Sequence, residues 1–179
     1  FADDFVLGCE NEEDAQRMMR VLPKRFEKFG LSIHPDKSKM INFKWTSKFS
    51  DKCENGTFDF LGFTHYWGRS RSGNWVIKRQ TMKKRQARAM RNLFIYCRNN
   101  KHEPVPEQHR KLRSKLHGLY NYYGVIGNYR ALQVLYEHVR VVWRRWLGRR
   151  TRDGYISWEK FDAFLNVWAL PRPRIKARV

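Results

Sequence analysis

Two adjacent carboxylates, Asp3 and Asp4, stand inside the otherwise apolar run Phe1-Ala2-Asp3-Asp4-Phe5-Val6-Leu7-Gly8. Like charges side by side repel, and each is costly to remove from water without a partner. Such a pair either lies on an exposed turn or holds something cationic. Successive strand side chains point to opposite faces, so the two acids are not equivalent ligands. Carboxylate oxygens suit a hard cation such as Mg²⁺, which takes one or two of them together with phosphate oxygens. A hairpin tip with an acid leaning each way therefore suits phosphoryl transfer by two metals. On these four residues alone, an ordinary polar turn explains the pair equally well. Lys37 in "HPDKSKM" reads by itself as a solvated turn lysine.

The other chemistry is cationic. The 179 residues hold 37 Lys and Arg against 17 Asp and Glu, a net charge of +20. Residues 1–60 carry 10 basic and 11 acidic side chains, and residues 61–179 carry 27 and 6. An excess so large and so one-sided points to a polyanionic partner, and it divides the chain into two parts with different work. Basic residues alternate with apolar and aromatic ones around Lys83, Lys84, Arg85, Arg88 and Arg91, and again around Arg144, Arg145 and Arg149. Phosphate contacts from such side chains give affinity without sequence information, and with the interleaved aromatics nucleic acid fits better than a membrane surface. Tyr122 is a candidate for stacking on a base, whereas Trp143 and Trp146 fall on an apolar stripe and read as core. Cys9, Cys53 and Cys97 are odd in number and widely spaced. They form neither a disulfide framework nor a zinc site and fit a reducing, cytoplasmic setting.

The elements that must position these groups follow from periodicity. Phe1–Ala2 and Phe5–Gly8 read as short strands around the Asp-Asp turn. Asn11 reads as the N-cap of a helix whose stripe Ala15, Met18, Met19, Leu22, Phe26 and Phe29 faces a core. Gly30 closes that helix, and Pro23 kinks or breaks it. Leu31–Ile33, Met40–Phe43, Thr57–Phe63 and Asn74–Ile77 read as strands, with Ser70–Gly73 as a turn. Thr81 then caps a helix to about Arg98 with Ala87, Met90, Phe94 and Cys97 inward. Further helices run over about Glu107–Tyr123, from Asn128 to about residue 147, and from Ser157 to about Trp168. The segment "LPRPRI" is Pro-punctuated and extended. The fold class is therefore α+β: an antiparallel sheet with one helix over residues 1–80, a helical domain over 81–147, and a basic extension with a short helix over 148–179.

The order "FADD", "GLSI…HPDKSKM" and "FDFLGF" resembles the back half of a reverse transcriptase palm, and specifically the reverse transcriptases and maturases encoded by group II introns. "LRSKLHGLYNYYGV" resembles the maturase signature of that family: Gly118, Asn121, Tyr122 and Tyr123 match, and Leu119 stands where Trp is usual. The resemblance implies an RNA-directed DNA polymerase that transfers nucleotides with two Mg²⁺ ions and binds intron RNA for splicing and mobility. It implies Asp3 as the main metal ligand with Asp4 beside it, and Lys37 near the triphosphate of the incoming dNTP. Phe1 and Ala2 would then lie near the primer end, and Leu61, Gly62 and Phe63 would grip the primer. Partners would be template and intron RNA, a DNA primer or target and dNTPs, without a membrane, in a bacterial or organellar host.

Two-metal polymerases of this kind use a further aspartate from a strand preceding the acidic hairpin. The chain starts at the hairpin, so the expectation is a fragment that needs the fingers and the rest of the palm for activity. Two alternatives stay open: an RNA-binding splicing cofactor in which the acidic pair is a relic, and a related reverse transcriptase serving another element.

Overall fold

The computed structural model describes residues 4–43, 56–150 and 152–176. It is an α+β structure with one three-stranded antiparallel sheet and five helices among those residues. The elements run α1 (Glu12–Glu27), a 3₁₀ turn (Pro35–Lys37), β1 (Phe58–Phe60), β2 (Phe63–Arg69), β3 (Trp75–Thr81), α2 (Lys83–Asn99), α3 (Val105–Tyr123), α4 (Tyr129–Gly148) and α5 (Trp158–Val167). The sheet order is β1-β2-β3, a meander. The chain divides into two compact units, residues 1–61 with 65–77 and residues 62–64 with 78–179.

In the first unit, α1 opens with Glu12, Glu13 and Asp14 and ends with Lys24 and Arg25, signs that suit the helix dipole at each end. The helix continues through Pro23, which neither breaks it nor ends it. Asn11 sits at the N-cap with extended backbone but makes no side-chain cap bond. Gly30 follows with φ +69°, as a helix-closing glycine does. Met18 and Met19, expected in a core, are each 43% exposed, because no described residue of this unit is buried. A helix stripe becomes core only where a second layer covers it.

Three expected strands are corrected. Phe5–Gly8, Leu31–Ile33 and Met40–Phe43 have no strand conformation. Apolar composition favours a strand only where a hydrogen-bonded neighbour exists, and none of the described ladders includes them. Phe43 instead joins an aromatic group, stacked at 5.5 Å on Trp67 and edge-on at 4.9 Å to Phe58, while Trp67 Nε1 donates to the Phe43 carbonyl at 3.0 Å. The expected strand Thr57–Phe63 is split by a turn at Leu61 (φ +47°) and Gly62 (φ +79°). Two consecutive residues of positive φ are the signature of a two-residue type I′ hairpin, whose twist matches that of the flanking strands. The Ser70–Gly73 turn is present, with Ser70 N–H donating to the Asn74 carbonyl at 2.7 Å and Gly73 at φ +84°.

The second unit holds the core. Leu93 and Cys97 of α2, Leu112, Leu116 and Tyr120 of α3, and Leu132, Leu135, Val139, Val142 and Trp143 of α4 are buried together with Phe161 of α5. Each set follows its helix at spacings of three and four, so one stripe per helix converges. Ala87, expected inward, is exposed, and Leu93 takes the inner position. Burial pushes the Cys97 thiol up to about 12. Thr81 is not a helix cap; it ends β3, and Met82 holds the N-cap position.

Two polar hubs lock this core. Asn128 is 1% exposed; its Oδ1 accepts from Thr81 N–H at 2.8 Å, and its Nδ2 donates to Thr81 Oγ1 and the Tyr123 carbonyl, each at 2.8 Å. Trp143 Nε1 donates to Gln108 Oε1 at 2.9 Å, and Gln108 Nε2 donates to the carbonyls of Asn100 and Glu103 at 2.6 and 3.1 Å. Trp143→Phe keeps most of the ring volume but leaves the buried Gln108 oxygen without its donor. It is expected to cost about 2 kcal/mol and lower the melting temperature by about 4–8 °C in calorimetry.

The extended C-terminal segment lies along α3. His109 Nε2 donates to the Ala169 carbonyl at 2.9 Å, Lys176 N–H donates to the Gly124 carbonyl at 2.7 Å, and Lys176 Nζ donates to Asn121 Oδ1 at 2.6 Å. Leu170 and Pro173 are buried between those anchors.

Candidate nucleic-acid interface

The outer side of α2 is built by its inner side. His138 Nε2 of α4 donates to the Met90 carbonyl at 3.1 Å, and Gln86 Nε2 donates to the Ala131 carbonyl at 3.3 Å. With Leu93 and Cys97 fixed in the core, Lys83, Lys84, Arg85, Arg88 and Arg91 are all exposed. Lys84, Arg88 and Arg91 follow one another at i, i+4 and i+7, so they share one side of the helix. The helix contains no acidic residue. The result is an uninterrupted cationic face.

The second basic group divides. Arg144 is engaged inside the fold: its guanidinium lies 4.1 Å over the Trp158 ring and 5.3 Å from that of Tyr155, and Nη1 donates to the Ile156 carbonyl at 2.6 Å. It clamps α5 to α4, as does Arg140, which bridges Glu137 at 3.0 Å and Asp162 at 2.6 Å. Burial works to lower the Arg140 pKa, and the hydrogen bonds that Arg140 donates to Asp162 and Glu137 raise it by more. Arg150 donates to the carbonyls of Lys101 and Glu103, and burial lowers its pKa. Arg145 and Arg149 remain exposed. Charge counting treats these arginines alike; the aromatic residues Tyr155 and Trp158 are the signal that some of them are structural.

The hairpin-tip residues take distinct places. Leu61 is exposed at the turn, and Phe63 is buried. Phe63 stacks on Tyr122 with centroids 6.0 Å apart and meets Tyr123 edge-on at 5.4 Å. Gly62 permits this approach: a Cβ there would lie 3.3 Å from Tyr123 Oη, and its carbonyl accepts from Met82 N–H at 3.0 Å. Burial and then Tyr122 raise the Tyr123 phenol, against the pull of Arg85. Tyr122 itself is 54% exposed. Phe63, Tyr122 and Tyr123, distant in sequence, are therefore one cluster, with Asn128 locking the Tyr123 carbonyl beneath it.

Asp4 is exposed, and Lys37 is exposed on the 3₁₀ turn; Phe1, Ala2 and Asp3 lie outside the described residues. Two adjacent carboxylates are a donor set of the hard-oxygen kind that Mg²⁺ takes. Among the described residues no group of three or more His, Cys, Asp or Glu is placed to hold a metal ion. No helix among them is long and apolar enough to cross a membrane.

Comparison with known proteins adds one finding. Residues 1–65 match the family model for reverse transcriptase (RNA-dependent DNA polymerase). No curated protein and no solved structure matches the chain.

Proposed function

We propose that this chain is the end of the palm and the helical thumb/maturase part of a group II intron reverse transcriptase. The observation that carries the reading is the reverse transcriptase match over residues 1–65, the stretch that contains "FADD" and Lys37. The +20 charge and the exposed cationic face of α2 support the RNA partner. In this reading Asp3 and Asp4 would hold Mg²⁺, which, when bound, supplies charge neutralisation for transfer of a nucleotide to a primer 3′-hydroxyl. Lys37 offers a cation to the triphosphate of the dNTP. Leu61 and Gly62 present a fixed turn to the primer, and Phe63 anchors that turn on Tyr122 and Tyr123. The α2 face and the exposed Arg145 and Arg149 bind template and intron RNA through phosphates, so register is set by base pairing and RNA shape.

The second reading, an RNA-binding splicing cofactor without polymerase activity, is favoured by one observation: the cationic face lies on helices beyond the matched residues. Both readings predict that reversing Arg88 and Arg91 to Glu weakens RNA binding. Each lost phosphate contact is worth about five-fold at 0.1 M salt, so the double reversal is expected to cost at least roughly 25-fold in a filter-binding titration. Unchanged affinity would remove α2 from the interface. The two readings separate at Asp3, whose replacement matters to the first alone.

A further inference from the structure

The proposed RNA-binding reading leaves one cationic region unassigned. His109, Arg113, His117 and Asn121 occupy successive i+4 positions and form a single row along α3. The C-terminal segment is anchored at both ends of that row, by His109 to Ala169 and by Asn121 and Gly124 to Lys176. From residue 109 to 124 a helix rises about 22 Å, and from residue 169 to 176 an extended chain covers about the same distance. An extended strap therefore matches the row in length, and Pro171 and Pro173 favour that conformation. Leu170 and Pro173 are buried, whereas Arg172, Arg174 and Lys176 are exposed, beside the exposed Arg113 and His117 of the helix row. No acidic residue occurs in residues 108–136 or 163–176, so nothing in either segment neutralises them.

We propose that the strap and the outer row of α3 form a track for the phosphodiester backbone of single-stranded RNA, with Arg172 and Arg174 as its principal phosphate contacts. The inference rests on the RNA-binding reading and adds to it a second surface, on a different helix from the α2 face. Arg172 and Arg174 are two residues apart, a repeat of about 6 Å along an extended strap. That repeat is close to the separation of successive phosphates in an extended strand, so each arginine meets its own phosphate. Because the strap is pinned, the contacts need no ordering of a loose tail on binding.

The test is fluorescence anisotropy of a labelled single-stranded RNA oligonucleotide with the whole chain, at salt concentrations from about 50 to 200 mM. The double variant Arg172→Gln, Arg174→Gln removes two contacts. Affinity at 0.1 M salt is expected to fall roughly 25-fold, and the slope of log affinity against log salt to become shallower by about 1.4. Both side chains are exposed, so the melting temperature is expected to stay within about 2 °C of the parent. Gly124→Ala keeps every cation but sets a Cβ against the Tyr120 carbonyl oxygen and 2.8 Å from that of Arg174, which displaces the strap. It too is expected to weaken binding. Parental affinity in the double variant overturns the track, and parental affinity in Gly124→Ala overturns the requirement for a pinned strap. If the Arg88, Arg91 reversal weakens binding and the strap variants do not, the RNA-binding reading stands and this inference alone falls. If the parent chain binds phosphatidylserine vesicles and no RNA, both fall.

Discussion

On the polymerase reading, Asp3→Asn is expected to reduce templated cDNA synthesis by about three orders of magnitude or more, with RNA affinity unchanged or slightly higher. The amide is nearly isosteric, so the local chain geometry has no steric reason to change, but it brings no negative charge to a divalent cation. A bound metal contributes several kcal/mol of transition-state stabilisation, and each 1.36 kcal/mol is ten-fold in rate. Affinity moves the other way, because a carboxylate near a polyanion repels it. The measurement is primer extension on an RNA template, with RNA binding by the same preparation as the control. Synthesis within a few-fold of the parent would end the polymerase reading and leave the splicing cofactor. Loss of synthesis and RNA binding together would point to a folding defect instead, which circular dichroism would show.

Asn128→Ala is expected to be the most damaging single change to the helical unit, at about 3–4 kcal/mol. It removes three hydrogen bonds at once and strands the N–H of Thr81, itself buried, with no water to replace the partner. Since domains are commonly stable by only about 5–15 kcal/mol, the variant retains a reduced margin and unfolds at clearly lower denaturant. Asn128→Asp makes a sharper comparison. It retains an acceptor for Thr81 N–H but sets an oxygen against the Tyr123 carbonyl and buries an ionisable group. Burial raises the carboxyl pKa above its unfolded value, so the folded state holds the proton more tightly. Stability of the Asp variant is therefore expected to be highest at acid pH and to fall as pH rises through about 4 and beyond. The Ala variant has no such dependence. Urea titrations at several pH values distinguish them, and a pH-independent Asp variant would show that position 128 is not buried in solution.

Helices α2 to α5 were legible because each buries one stripe, and a 3.6-residue repeat survives any arrangement of the others. Leu112, Leu116 and Tyr120 lie where periodicity places them. Strands are less legible because pairing, not composition, makes them. Leu31–Ile33 is as apolar as Phe58–Phe60, but among the described residues only the second has a paired neighbour. The turn at Leu61 and Gly62 carried a readable signal, a Gly as second residue of a tight loop between aromatics, which the run of apolar letters obscured. Thr81 illustrates another limit. Its type and position suit a cap, and nothing nearby in sequence announces that Asn128, forty-seven residues on, claims it. Among candidate site residues, the α2 cations were legible as a face, since a helix free of acids and buried on one side has nowhere else to put them. The division of the later arginines was not, because it depends on the placement of Tyr155 and Trp158.

The matched reach of α3 and the C-terminal strap carries a consequence for descent. A turn added to the helix lengthens its span by about 5.4 Å, close to what two extended residues cover. A lone insertion or deletion in either segment therefore detaches one anchor, whereas paired changes in the ratio of about four to two preserve both. Among relatives of this chain, the lengths of the helix and the tail are expected to be inherited as a pair, even where few of their residues are shared.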